Sequence, residues 1–170
     1  MTNQLTKDLN ITGKKILLRL DLNVPVFEGA ISETSRIEKI IPTIKMLKNK
    51  KTKIIIISHI GRPKGKWIKE LTLKNVAIKL SNFLDQKIIF HSEPISPSTK
   101  NQINLMKDGD VMLLENIRFY EGEENNDNDF AKKISELGDI YINDAFSCSH
   151  RAHASIEAIT KFIPSYFGLQ

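Results

Sequence analysis

Short, almost wholly apolar stretches recur along this chain, separated by amphipathic segments: KILLRL (15–20), KIIIIS (53–58), KIIF (87–90), DVMLLE (110–115) and DIYIN (139–143). A strand with one wet face alternates apolar and polar residues, because successive side chains point to opposite sides. Runs without that alternation belong to strands covered on both faces, as in a parallel sheet with helices above and below. Apolar runs interleaved with helical patterns point the same way, to an α/β fold with a mostly parallel sheet.

The intervening segments carry helical periodicity. Leu73, Val76, Ala77, Leu80, Phe83 and Leu84 keep the spacing of one buried helical face. Phe130, Ala131, Ile134 and Leu137 do the same, with Asp127 or Asn128 placed to cap the start and Gly138 to stop the end. Ser96 and Pro97 suit an N-cap and a first turn, with Gly109 as terminator. The segment from Ile37 to Leu47 is helical in period, but Pro42 inside it predicts a kink or a fresh helix start.

A length of 170 residues suits one domain, 1–170, and neither a repeat nor a linker divides it. The ending FIPSYFGLQ is apolar and aromatic, so Tyr166, Phe167 and Leu169 are expected to be exposed and the chain to be cut there from something longer. The start MTNQLTKDLNITGKK lacks the apolar core of a secretory signal, and no apolar run is long enough to span a bilayer. With Cys148 alone no internal disulfide forms, so the expected setting is reducing and cytoplasmic.

In parallel α/β sheets ligands bind outside the carboxyl ends of the strands. The residues that follow the apolar runs are Asp21 and Asn23; His59, Gly61 and Arg62; Glu115, Asn116 and Arg118; and Asn143, Asp144, His150 and Arg151. A net charge of +5 favours anionic partners. Arginine is scarce, occurring only at positions 19, 36, 62, 118 and 151, and its rigid fork grips carboxylate and phosphate as lysine cannot. Arg36 follows a capping region expected at Ser32, where a cation opposes the helix dipole unless an anion shares the site. Arg36, Arg62, Arg118 and Arg151 with His59 and His150 suit a small molecule bearing about three negative charges. Arg19 lies inside a strand run, pairs internally or sits at a sheet edge, and takes no ligand role.

A single arginine more often serves a surface ion pair of little energetic weight. Cys148, His150 and His153 lack a fourth neighbour for structural zinc, and nothing local activates Cys148 as a nucleophile. IGRPKGK has the Gly-Arg-Pro core of a minor-groove hook, but Ile60 stands where an arginine should precede it and the acidic EGEE (121–124) follows the Arg118 loop. GRPKGKW has neither phosphate-loop glycine spacing nor the Ser or Thr that holds magnesium, and no dinucleotide fingerprint occurs. A stand-alone basic module for anions or DNA is the alternative function.

Taken together, LLRLDLNVP, SRIEKIIPTIKML, IIIISHIGRPKGK, LLENIRFYEGEENND and YINDAFSCSHRAHAS stand in the order and spacing of the phosphoglycerate kinase family, which the chain resembles over almost its whole length. The resemblance implies a Rossmann-like three-layer sandwich, the phosphoglycerate-binding half of a two-domain glycolytic enzyme. That enzyme transfers the acyl phosphate of 1,3-bisphosphoglycerate to ADP, giving 3-phosphoglycerate and ATP. Carried over residue by residue, Asp21 and Asn23 would contact the glycerate end, while Arg36, His59, Arg62, Arg118 and Arg151 would hold its carboxyl and phosphate groups. Leu22, Ile60, Gly61 and His150 complete the substrate set, and Arg36 would also swing onto the moving phosphoryl as the catalytic residue. Mg-ATP and Mg-ADP are the cofactors implied, with their site in the absent half, so that this chain is expected to be inactive alone. No nucleic-acid or membrane partner is implied, and the full-length enzyme is expected to be a monomer. Tyr120 stands where the family commonly has a histidine, and SCS (147–149) varies a loop of small residues.

Overall fold

The structure is a computed structural model and describes residues 3–4, as backbone, and 8–169. Seven strands form one sheet: β1 (Asn3–Gln4), β2 (Lys15–Leu20), β5 (Lys53–Ile57), β6 (Ile89–His91), β7 (Val111–Leu114), β8 (Ile140–Asp144) and β9 (Ser165–Phe167). Their order is β1-β9-β8-β2-β5-β7-β6, and every pairing is parallel. A hairpin of β3 (Val26–Phe27) and β4 (Ala30–Ile31) stands apart. The remaining elements are α1 (Ser35–Asn49), α2 (Lys74–Leu84), α3 (Pro97–Asn104), the single turn α4 (Glu121–Glu124) and α5 (Asn128–Ser135).

Two apolar clusters explain the unbroken apolar runs. Ile16, Leu18, Ile54, Ile56 and Leu113 point to the face covered by Ile37, Ile40 and Ile44 of α1 and Val76 and Leu80 of α2. Leu17, Ile55, Ile57, Met112 and Tyr141 point to the other, covered by Ile103 of α3 and Ile134 of α5. The result is the three-layer α/β/α sandwich. Full burial of each such side chain stabilises the fold by roughly 1.5–3 kcal/mol.

Several local expectations are corrected. Helix α1 runs through Pro42 as one element and begins at Ser35, not after Ser32. Proline removes its own N–H and crowds the carbonyl four residues back. Pro42 and Glu38, whose carbonyl is thereby freed, lie on the exposed side of the helix, while Ile37, Ile40, Ile44 and Leu47 pin the opposite side. At the cap position the Thr34 hydroxyl bonds the Glu38 carboxylate at 2.8 Å instead of a backbone amide. On α2 the buried stripe keeps Leu73, Val76, Ala77, Leu80 and Leu84, but Phe83 turns outward. Ser96 caps α3 through the Thr99 amide, whereas Gly109 lies beyond that helix in the turn entering β7, its amide on the Thr52 carbonyl at 2.7 Å. Asp127, not Asn128, caps α5 by accepting from the Phe130 amide at 2.7 Å. The run 87–90 forms its strand slightly later, at the sheet edge. Near the end of the chain Tyr166 is half-buried against the core, while Phe167 and Leu169 are exposed.

Because every strand is parallel, the exits of β2, β5, β7 and β8 share one rim. Strand β2 lies between β5 and β8; the chain leaves β2 through α1 on one face and enters β8 from α5 on the other. Such a switch point opens a crevice at the strand ends. Among the described residues no helix is long and apolar enough to cross a membrane.

Candidate functional site

The loop after β5 is the centre of the rim, and its backbone is held from two sides. Gly61 adopts φ +65°; its amide donates to Asn23 Oδ1 at 2.9 Å, and its carbonyl accepts from Arg118 Nη1 at 3.1 Å. One glycine therefore ties together the exits of β2, β5 and β7. Asn116 secures the same loop by donating to the carbonyls of Ile60 (2.8 Å) and Leu71 (3.0 Å). Glu115 accepts from the amides of Leu73 and Asn116, each at 2.8 Å. Glu115 and Asn116 are thus scaffold for the loop. The side chains of Leu22 and Ile60 are buried in the core, so these residues reach the rim through backbone alone.

Asp21 organises the switch-point side. Its carboxylate accepts from Arg36, from the Ser147 hydroxyl beyond β8 and from the Asn23 amide at 3.1 Å. The Arg36–Asp21 ion pair borders a cleft of about 530 Å³ that Lys39, Asp144, Phe146 and Ser147 also line. His150 and Arg151 line a separate depression of about 350 Å³ with Asn143 and Phe167.

Arg118 is the most informative cation. It is only 3% exposed, yet its Nε is the one buried side-chain nitrogen or oxygen among the described residues that has no hydrogen-bond partner. Burial pushes its pKa down, Arg19 and Arg151 add to that, and Glu124 opposes it. A buried guanidinium with an unpaired donor is costly and asks for an acceptor. Arg62 is exposed and makes neither a hydrogen bond nor an ion pair among the described residues, and the Arg151 side chain pairs with no carboxylate there. Three of the rim's guanidinium groups therefore keep bonding capacity in reserve.

The histidines behave differently from simple cations. His59 is 2% exposed, and its pKa is pushed down to about 2 by burial first, then by Arg19, Arg118, His153 and Arg151. It is neutral at physiological pH, so the cationic set expected from sequence loses one charge while keeping an N–H donor. His153, weighed in the sequence only as a metal ligand, lies in the same electrostatic neighbourhood, its pKa lowered by burial and then by Arg118. Sequence reasoning also passed over Lys39, Ser147 and the contact of Arg19 with His59. An arginine inside the apolar run KILLRL was the available sign of the last.

These features define a class: a parallel α/β protein whose strand ends carry a cationic rim. The family model described as phosphoglycerate kinase matches residues 6–170. The phosphoglycerate kinase of Rhizobium meliloti is 46% identical over 99% of this chain, and that of Wolbachia pipientis from Culex pipiens is 53% identical over 92%. A crystal structure of phosphoglycerate kinase from Pyrococcus horikoshii superposes with a TM-score of 0.88 at 30% identity over 99% of the chain, and the structure from Coxiella burnetii with 0.84 at 35% over 94%. The chain belongs to the phosphoglycerate kinase family. It spans 42% and 39% of the length of the two curated relatives.

Proposed function

We propose that residues 1–170 form the phosphoglycerate-binding domain of a phosphoglycerate kinase, holding 3-phosphoglycerate or 1,3-bisphosphoglycerate at the strand-end rim. The observation that carries this reading is Arg118, buried with an unpaired Nε against the loop after β5, on a rim where the Arg62 and Arg151 guanidiniums are free of carboxylates. In the reaction the acyl phosphate's P–O bond breaks as a terminal phosphate oxygen of ADP bonds the same phosphorus, leaving 3-phosphoglycerate and ATP. Arg62, Arg118 and Arg151 would neutralise the substrate's phosphate and carboxyl groups, His59 would donate a neutral hydrogen bond, and Asn23, Gly61 and His150 would complete the set.

Arg36 has the catalytic part. Held by Asp21 in this structure, it would exchange that carboxylate for the phosphoryl in transit, where positioned cations supply most of the rate. Asp21 then becomes free for the glycerate end. The rim itself does not suit magnesium. Its donors are guanidinium and imidazole nitrogens, Asp21 is engaged by Arg36 and Ser147, and the described residues hold no group of three acidic, His or Cys side chains arranged for a metal. The family uses Mg-nucleotide, which on this reading is held by the portion of the relatives' length that this chain does not span. The reading takes small phosphorylated carboxylates as partners, with neither nucleic acid nor membrane, a monomeric full-length enzyme and a cytoplasmic setting.

Calorimetric titration with 3-phosphoglycerate and, in parallel, with DNA at two salt concentrations tests it. The expected result is one site for 3-phosphoglycerate, weakened by Arg62→Ala. Binding that ignores ligand identity and collapses steeply with salt is the result of a basic module and contradicts the proposal.

A further inference from the structure

Behind the rim lies a polar chain buried in the centre of the sandwich. Arg19, in the central strand β2, is wholly buried and spends its donors on three partners: Nη2 lies 2.7 Å from His59 Nδ1, Nε donates to Ser155 Oγ at 3.1 Å, and Nη1 donates to the Leu20 carbonyl. Ser155 in turn gives its hydroxyl and its amide (2.9 Å) to the two oxygens of Glu123, which is also wholly buried. The Tyr141 hydroxyl donates to the Ser155 carbonyl. Arg19 and Glu123 thus face each other through one serine; burial pushes the Glu123 carboxyl up, and Arg19 and the Ser155 hydrogen bonds act against that.

The direction of the hydrogen bonds follows from chemistry. A guanidinium has only donors and keeps its proton throughout the accessible pH range. His59 Nδ1 must therefore be the acceptor, which puts the ring's single proton on Nε2 and forbids a second on Nδ1. His59 Nε2 has no partner among the described residues. The charged or titratable groups that the ring senses are Arg19, Arg118, His153 and Arg151, all of which disfavour an imidazolium.

We infer that Arg19, anchored by Ser155 and Glu123, is a positioning residue that locks His59 as a neutral Nε2–H donor toward the rim. The inference rests on the reading of the rim as a phosphoglycerate site and assigns Arg19 no contact with the ligand. It gives that site a hydrogen-bond donor whose state does not change across physiological pH, where an ordinary histidine would titrate.

Nitrogen-15 imidazole spectra of the chain between pH 5 and 8 test the lock, recorded for wild type, Arg19→Lys and the milder Ser155→Ala, each followed by titration with 3-phosphoglycerate. Wild-type His59 is expected to show a protonated Nε2, a bare Nδ1 and no titration. In the variants His59 is expected to populate the other tautomer, while burial, the first cause of its low pKa, still keeps the ring neutral. Their affinity for the ligand is expected to fall by about tenfold, the value of one hydrogen bond to a charged group. A wild-type Nδ1–H signal, titration of wild-type His59 near pH 6.5, or a folded Ser155→Ala chain unchanged in tautomer and affinity overturns the inference. Locked wild-type spectra with release in the variants, but no response to 3-phosphoglycerate, uphold the lock and remove the substrate reading instead.

Discussion

Replacing Gly61 by alanine strikes the one residue that joins three strand exits. At φ +65° a side chain with a Cβ sits in the left-handed region, a strain of about 1–2 kcal/mol. That Cβ would stand 2.7 Å from Leu71 Cδ2 and 2.9 Å from Cδ1. Leu71 is half-buried and able to turn aside, at a loss of about 1 kcal/mol in apolar contact. The sum, about 2–3 kcal/mol, lowers the melting temperature by roughly 5–10 °C in a chain of this size. Gly109→Ala is the control: its φ is +89°, but no atom lies within 4 Å of the added carbon, so only the backbone strain remains. The two variants also differ at the site. Gly61 holds Asn23 and Arg118 through its amide and carbonyl, and displacing them is expected to weaken 3-phosphoglycerate binding by at least about tenfold, one charge-assisted hydrogen bond. Gly109→Ala should bind as wild type does. Scanning calorimetry and ligand titration on both variants decide the matter: equal melting shifts together with unchanged affinity for Gly61→Ala would refute the claim that this loop is the hub of the rim.

Arg118→Met removes a buried, incompletely bonded cation while keeping its apolar stem. It is expected to leave the unliganded chain as stable or more so, with 3-phosphoglycerate affinity largely lost; a strongly destabilised variant that still binds reverses the roles assigned here. His59 stays neutral in the fold down to about pH 2, whereas the unfolded chain protonates it near 6.5. The unfolded state then binds the extra proton, so stability falls as pH drops below about 6.5, approaching about 1.4 kcal/mol per pH unit, with His153 acting in the same direction. His59→Gln should flatten that slope in urea melts between about pH 5 and 7, and an unaltered slope would mean the ring is not held neutral. Arg36→Ala should abolish turnover when the rest of a relative's enzyme is supplied in trans, with a much smaller effect on 3-phosphoglycerate binding; turnover near wild type would remove Arg36 from the catalytic part.

Much of this architecture was legible because doubly covered parallel strands leave an unmistakable trace: KIIIIS has no polar face to hide. The shorter pieces left none. Ser165–Phe167 makes a strand because β8 and β1 are there to pair with it, and the Val26–Phe27/Ala30–Ile31 hairpin is too brief for any periodicity. Pro42 misled as the mark of a fresh helix start because local stereochemistry was read without the packing of Ile37, Ile40, Ile44 and Leu47 that carries α1 through it. At the rim, the residues next to strand ends could be picked out by position. Their states could not, since those depend on contacts between segments distant in sequence. His59 was counted as a cation, and burial in the folded interior, with Arg19 on the adjacent strand adding to it, makes it neutral. Arg36 was expected to share its site with an anion, and in the fold Asp21 is that anion, a pairing across segments that position alone did not reveal. The orphaned Nε of Arg118 is likewise a property of the folded interior, where burial removes the water that would otherwise satisfy it.

The most direct measurement is an amide NMR titration of this chain with 3-phosphoglycerate, which reports folding and location together. The account predicts dispersed resonances whose shifts gather at Asp21, Asn23, Arg36, His59, Gly61, Arg62, Arg118 and Arg151 and leave the α3–α5 face still. Dispersed resonances that do not move at millimolar ligand, or that move over the whole basic surface, would contradict it.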